Sequence, residues 1–240
     1  MGESLPIRIA LSQESPPTSY VVDGHPAGMF KEILEALFEL LPQYKPQFRA
    51  YPWNRAQFQV QNGDADVFCT YNSESRRVYA DFTQEPLYLW DYGNLVYNQK
   101  NPKKAQIENA KDFQDLKDLI FISQEGVAWE KENVPDYIQR YMVLNPLAMM
   151  HMAFLRGVGD FFIMGSEQAL HYAKELGYTG NLGMKKVRFI PNSQIPFYIG
   201  IRKSYPDKEL FLEAVESAIK DPGFLEKKNR IIRQYQENFH

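Results

Sequence analysis

Apolar and polar residues alternate over residues 5–11 (LPIRIAL), and this period of two predicts a first strand. Residues 12–28 break the pattern with three prolines, two glycines and the turn signal Asp23-Gly24, which predicts a hairpin-like loop extended in part over 19–22. From 29 to 41 the apolar positions are 29, 30, 33, 34, 37, 38, 40 and 41, a helical spacing with a broad buried face that Pro42 ends. A second strand is expected at 44–51, a helix from Trp53 to Asn62-Gly63, and a third strand at 66–70. The order β-α-β-α-β implies a parallel sheet with right-handed crossovers.

Residues 81–88 and 92–97 read as extended, and the polar run 98–110 as a boundary loop. A short helix is expected at 110–116, a strand at 119–123, a turn at 124–127 and a helix to about Arg140. A strand over 142–144, a helix from Asn145-Pro146 to Gly157 and a buried strand over 160–164 follow. Ser166 then N-caps a helix to Leu176. Residues 186–190 are extended, 194–202 form a strand, and two helices, over about 205–220 and 224–235, close the chain. Lys227, Lys228, Arg230 and Arg233 on the last helix read as a solvated face. One echo stands out. Gly63-Asp64-Ala65-Asp66-Val67-Phe68 resembles Gly157-Val158-Gly159-Asp160-Phe161-Phe162, each after a helix and opening an apolar strand. Its natural meaning is two lobes of the same α/β topology.

Composition narrows the function classes. The 240 residues fit one large domain or two lobes, and a formal net charge of −3 gives no electrostatic case for nucleic acid. No apolar run approaches the roughly 20 residues that span a bilayer. The start, Met1-Gly2-Glu3-Ser4, lacks the basic and apolar stretches of a signal peptide. A lone cysteine, Cys69, excludes an intrachain disulfide and reads as a buried strand-end thiol ahead of a nucleophile. His25, His151, His171 and His240 have no metal-ligand spacing, and neither a phosphate loop nor a Gly-x-Ser-x-Gly elbow is present, so no cofactor is expected. Aromatic residues make up 14%, which fills a core and, beside polar loops, also suits a cleft for small organic ligands.

The polar loop after the third strand holds Tyr71, Arg76 and Arg77. A guanidinium fork suits a carboxylate, although either arginine can simply pair with Glu74 or Asp81. Trp53 at a helix start, Tyr71 and Tyr88 each read as core or as cleft wall. Gly126-Val127 offers helix-start N–H groups to an anion, a weak signal alone.

The order and spacing of several segments resemble the bacterial periplasmic solute-binding proteins of the amino-acid type (family 3) that serve ABC transporters. These segments are Trp53-Asn54-Arg55-Ala56 with Gly63-x-x-Asp66, Arg76 with Ala80-Asp81-Phe82-Thr83 and Pro86-Leu87-Tyr88, Asp115-Leu116-Lys117-Asp118 through Gln124-x-Gly126, and Arg156-x-x-x-Asp160. The resemblance covers essentially the whole chain. It implies the type II periplasmic-binding-protein fold, two α/β lobes joined by hinge strands near 95–98 and 194–197. Lobe one would join 1–96 to 195–240 and lobe two would be 97–194. It further implies a monomer outside the cytoplasm, in the periplasm, that captures a small polar, carboxylate-bearing ligand and delivers it to an ABC-transporter permease. The family arginine that binds the ligand carboxylate falls on Arg76 counting back from Phe82, and on Arg77 counting forward from Asp66. Where members often carry an amine-binding Asp, this chain has Gly165, then Ser166; Glu14 or Glu167 are the substitutes to consider. The ligand-binding candidates are Arg76, Trp53, Tyr71, Glu14, Cys69, Tyr88, Gly126, Val127 and Ser166, with Arg77, Tyr20 and Glu167 beside them. The alternatives are an enzyme on the same scaffold, similar to cyclohexadienyl dehydratases with Glu14, Glu125 or Glu167 as acid, and a ligand-sensing module of a receptor.

Overall fold

The computed structural model describes residues 4–237, so Met1 to Glu3 and His240 lie outside the described residues. The chain forms two compact units, one running through Leu89 and resuming at Pro196, the other Trp90–Ile195. In chain order the first unit holds β1 (Leu5–Ser12), β2 (Glu14–Ser15), β3 (Ser19–Val22), β4 (His25–Ala27), α1 (Met29–Phe38), β5 (Tyr44–Tyr51), α2 (Trp53–Asn62), β6 (Val67–Tyr71), α3 (Glu74–Arg77) and β7 (Ala80–Phe82). Strand β8 (Tyr88–Asp91) carries the chain into the second unit, which holds β9 (Asn94–Asn98), α4 (Lys104–Asn109), β10 (Phe121–Gln124), α5 (Ala128–Asn133), β11 (Arg140–Val143), α6 (Pro146–His151), β12 (Phe162–Ile163), α7 (Ser166–Glu175) and β13 (Leu182–Lys186). Strand β14 (Gln194–Arg202) returns to the first unit, which ends in α8 (Lys208–Ile219) and α9 (Pro222–Glu237).

The first unit's sheet runs β5-β1-β6-β14-β7, with β5, β1 and β6 parallel and β14 antiparallel to β6 and β7. Its core is built from alternating strand positions such as Ile7 and Ile9 and from the apolar stripe of α1, Ile33, Leu34 and Leu37. Removing such side chains from water is the main favourable contribution to folding. In the second unit β10 pairs β11 in parallel, β9 sits between β12 and β13, and a parallel bridge from Phe121 to Phe161 links the two sets.

Several expectations need correction. The hinge expected near 95–98 falls instead on β9, the central strand of a three-stranded sheet in the second unit. The boundary loop contains α4, whose Ile107 is fully buried. The helix expected to reach Arg140 stops at Asn133, and β11 begins at Arg140, because Pro135 cannot continue a helix. The extended stretch expected over 186–190 lies earlier, at β13, where register with β9 decides it. Ser166 is the first residue of α7 and Gly165 its cap.

The Gly-x-x-Asp echo has a physical basis. The backbone N–H of Asp66 donates to the Arg8 carbonyl at 2.8 Å while Arg8 N–H returns a bond to Asp66 Oδ2 at 2.9 Å. In the second unit the N–H of Asp160 donates to the Ile120 carbonyl at 2.8 Å and Ile120 N–H returns a bond to Asp160 Oδ2 at 2.8 Å. Each aspartate thus joins the strand it opens to the first strand of its unit's parallel set. Cations reinforce both: Arg8 and Arg202 on Asp66, Lys103 on Asp160.

The carbonyls of Pro17 and Thr18 accept from the N–H groups of Met29 and Phe30, so the long loop fills the N-terminus of α1. Gly28 makes this approach possible. Its φ is 109°, and a Cβ there would meet the Thr18 carbonyl oxygen at 2.7 Å. Gly28→Ala is expected to destabilise the protein by about 2 kcal/mol, from backbone strain and a rigid backbone clash together. A thermal melt checks it; an unchanged melting temperature would refute the role given to Gly28.

Candidate functional site

Three loops of the first unit leave the carboxyl ends of neighbouring parallel strands. Glu14 follows β1, Trp53 follows β5, and Tyr71 to Arg77 end β6 and form α3. The chain passes from β1 to β5 on one side and then crosses to β6 on the other, which makes the β1/β6 edge a switch point where open α/β sheets hold ligands.

Arg76 organises this edge. It is 3% exposed and its guanidinium lies over the Trp53 ring, 5.3 Å from the centroid. Its Nε donates to Gln57 Oε1 at 3.0 Å and Nη1 to the Tyr71 carbonyl at 3.0 Å. The Tyr79 hydroxyl also hydrogen-bonds with Arg76; burial pushes that phenol's pKa up and Arg76 partly offsets it. Trp53 begins α2, and its backbone N–H donates to the Glu14 carboxylate. Burial pushes the Glu14 pKa up, with the Trp53 bond acting the other way. Glu14 faces Tyr20 across β2 and β3. An anion at the first N–H of a helix is well placed, since that donor has no partner inside the helix.

The structure therefore brings Arg76, Trp53, Tyr71, Glu14 and Tyr20 together. Arg77 turns away, exposed, with Nη1 donating to the Asn72 carbonyl at 3.2 Å. Tyr88 packs edge-on to Phe30, with ring centroids 5.6 Å apart. Cys69 is enclosed within β6 opposite Ile199 of β14, and burial pushes its thiol pKa far up, so no thiolate faces a ligand.

The second unit has an equivalent edge at the ends of β10 and β12. Gln124 leads into Gly126, at φ 78°, and Val127, the residue before α5. Beneath this turn lies Glu130, 1% exposed. Its Oε2 accepts from Ser123 Oγ at 2.5 Å and from Gln124 N–H at 3.1 Å, whereas Oε1 is buried without a hydrogen-bond partner. Burial raises the Glu130 pKa to about 7, against the lowering effect of those two bonds and of Arg140. At the end of β12, Ser166 Oγ donates to Glu167 Oε2 at 3.0 Å. Gly165 is covered by the indole of Trp90. Among the described residues, no group of three or more His, Cys, Asp or Glu side chains is placed to hold a metal ion, and no helix is long and apolar enough to cross a membrane.

Four residues of these edges escaped the sequence reading. Gln57 was within reach of it, since it sits one helical turn after Trp53 on the same face. Tyr79 follows the Arg76 loop directly. Trp90 and Glu130 left no local signal, because their partners are set by packing.

The chain matches the family model of the bacterial extracellular solute-binding proteins, family 3, over residues 7–238. No curated protein sequence matches it. Solved structures share its fold at low identity. An amino-acid ABC transporter substrate-binding protein from Streptococcus pneumoniae bound to L-arginine is 20% identical, with 96% of this chain and 93% of that one covered and a TM-score of 0.74. A histidine kinase sensor domain with similarity to periplasmic binding proteins is 20% identical, with 98% and 96% covered and a TM-score of 0.76. An ancestral amino-acid-binding protein, a precursor of cyclohexadienyl dehydratase, is 20% identical, with 98% and 96% covered and a TM-score of 0.72.

Proposed function

The chain belongs to the bacterial extracellular solute-binding proteins, family 3, and from that premise we propose that it works in the periplasm, captures a small carboxylate-bearing, amino-acid-like solute and hands it to an ABC-transporter permease. The observation that carries this reading is the Arg76 guanidinium held on the Trp53 ring at the switch-point edge. Arg76 binds the ligand carboxylate through its planar fork, and Trp53 supplies both the support that orients the fork and an apolar wall. Arg77, exposed and turned to Asn72, is not the clamp. Glu14 and Tyr20 line the same edge.

Burial of Arg76 strengthens its bond to a carboxylate, since little water competes. Micromolar affinity needs about 8 kcal/mol in all, so ring contacts and expelled water must add to the ion pair. Two solved relatives, each an ancestral arginine-binding protein, are bound to arginine and to glutamine as their names state, which sets the size of solute to screen first.

A dehydratase on this scaffold would need a protonated carboxyl in contact with substrate. Glu130, with a pKa of about 7, is sealed from solvent at 1% exposure, whereas Glu14, whose pKa burial also raises, stands at the ligand edge. Glu14 is therefore the carboxyl that would serve as acid, and turnover of prephenate or arogenate, lost in Glu14→Gln, would favour the enzyme over the binding protein.

A thermal-shift screen with amino acids, dicarboxylates, small peptides and polyamines tests the reading, because a ligand bound to the folded state raises the melting temperature by mass action. Arg76→Ala is expected to weaken any carboxylate hit at least about tenfold, the loss of a charge-assisted hydrogen bond. Unchanged affinity in that variant, with its fold intact, would remove Arg76 from the site.

A further inference from the structure

Two residues of α2, one helical turn apart, meet Arg76. Ala56 and Val60 take the core face of this helix, and Trp53 and Gln57 stand beside them at i, i+4 spacing, both half-buried. The guanidinium lies over the Trp53 ring, while Gln57 Oε1 accepts from its Nε at 3.0 Å. Tyr71, whose carbonyl accepts from Nη1 at 3.0 Å, and Tyr79, whose hydroxyl bonds to Arg76, belong to the same unit. The whole arrangement is therefore internal to the first unit.

A guanidinium carries donors only, so the Gln57 amide has one orientation open to it, with its oxygen towards Nε. The bond at Nε and the bond from Nη1 to Tyr71 fix the planar fork at two points. Holding a binding group in place beforehand lowers the ordering cost that a ligand must overcome.

The type of acceptor matters as much as its position. A carboxylate at 57 would have nearly the same shape and would accept from Nε in a stronger, charge-assisted bond. It would also offset the positive charge of Arg76 and stand as a like charge beside any carboxylate that Arg76 binds. At 3% exposure of Arg76, little water screens that repulsion. An amide gives the orientation without the charge.

We propose that Gln57 is a positioning residue of the carboxylate site, whose neutral amide oxygen fixes the Arg76 fork without cancelling the charge that a ligand carboxylate meets. The inference rests on the carboxylate-binding reading above, and it concerns the first unit alone.

Calorimetric titration at neutral pH tests it, with wild type, Gln57→Met, Gln57→Glu and Arg76→Ala each titrated with glutarate, L-glutamine, L-arginine and any carboxylate that the thermal-shift screen brings out. Gln57→Met, which keeps the length of the side chain and loses the acceptor, should weaken the carboxylates that bind wild type about tenfold. Gln57→Glu should weaken them about a hundredfold, although glutamate is the closer match to glutamine in shape. That variant should nevertheless melt no lower than wild type, since its carboxylate pairs with Arg76. A residue that merely fills space or satisfies Nε would give the reverse order, with Gln57→Glu near wild type and Gln57→Met the weaker. That reverse order, with Arg76→Ala still impaired, would overturn the role of Gln57 and leave the carboxylate reading intact. Unchanged affinity in a folded Arg76→Ala would overturn both. If no carboxylate binds wild type in either the titration or the thermal-shift screen, both fail together.

Discussion

Asp66→Ala is expected to lower the unfolding free energy by about 3 kcal/mol, measured by urea denaturation at neutral pH. The Asp66 side chain is 3% exposed and accepts from Arg8 N–H, from the Arg8 guanidinium and from Arg202 Nε at 2.9 Å. The Arg8 side chain is 42% exposed, so that ion pair by itself counts for little in water. The loss comes from the buried β1 N–H left without its acceptor, from Arg202, 15% exposed, left without its carboxylate, and from the space vacated between β1 and β14. Burial alone would push the Asp66 pKa up, yet the bonds from Arg8 and Arg202 bring it below the ordinary carboxylate value. A lowered folded pKa means that the ionised form is the stabilising one. Its contribution is complete above the unfolded pKa and fades as the pH falls through the folded value. Wild type should therefore lose stability below about pH 4 more steeply than Asp66→Ala. Asp160→Ala, which breaks the matching pair of bonds to Ile120, is expected to cost a similar amount through the second unit. A loss under 1 kcal/mol in both variants would show that the echoed aspartates do not tie the strands.

Glu130 behaves in the opposite sense. Its folded pKa is about 7 against an ordinary value of 4.5. Below the lower value both folded and unfolded chains hold the proton. Between about 4.5 and 7 the unfolded chain has released it and the folded one has not, so stability falls with rising pH by about 1.4 kcal/mol per unit, or about 3 kcal/mol in total, and then levels off. The groups that face this carboxyl are Ser123 and Gln124 from β10, Arg140 from β11 and Tyr92. Glu130→Gln keeps an acceptor for Ser123 and Gln124 and removes the titration. Relative to wild type, that variant should gain about 2.5 kcal/mol on going from pH 5 to pH 8, whatever its offset at pH 5. Parallel stability profiles across that range would mean that Glu130 is ionised throughout, despite its bare Oε1.

The echo Gly63–Phe68 and Gly157–Phe162 was legible because the same local need, a turn followed by an aspartate that tethers a strand, recurs at the same point of each unit's topology. The aromatic-then-helix start at Trp53 and the polar loop at Tyr71–Arg77 were legible for a related reason. In a parallel sheet the loops after the strands gather at one edge, so their residues converge although they are far apart in sequence. Gly165 was visible as a departure from the family pattern, but nothing local in the chain identifies what fills its space.

The period of two over β1 and the helical spacing of α1 by themselves determined the layers, since periodicity records which face of an element leaves water. Chain order determined the parallel strands and the edge where the candidate residues meet. The tertiary structure alone decided that Arg76 rather than Arg77 lies on Trp53, that β9 is the centre of a second sheet, that Glu130 is sealed under the Gln124 turn, and that Trp90 covers Gly165. Each of these depends on contacts between segments distant in sequence. Packing sets such contacts through the volume left by neighbouring side chains, and no local pattern of residues encodes that volume.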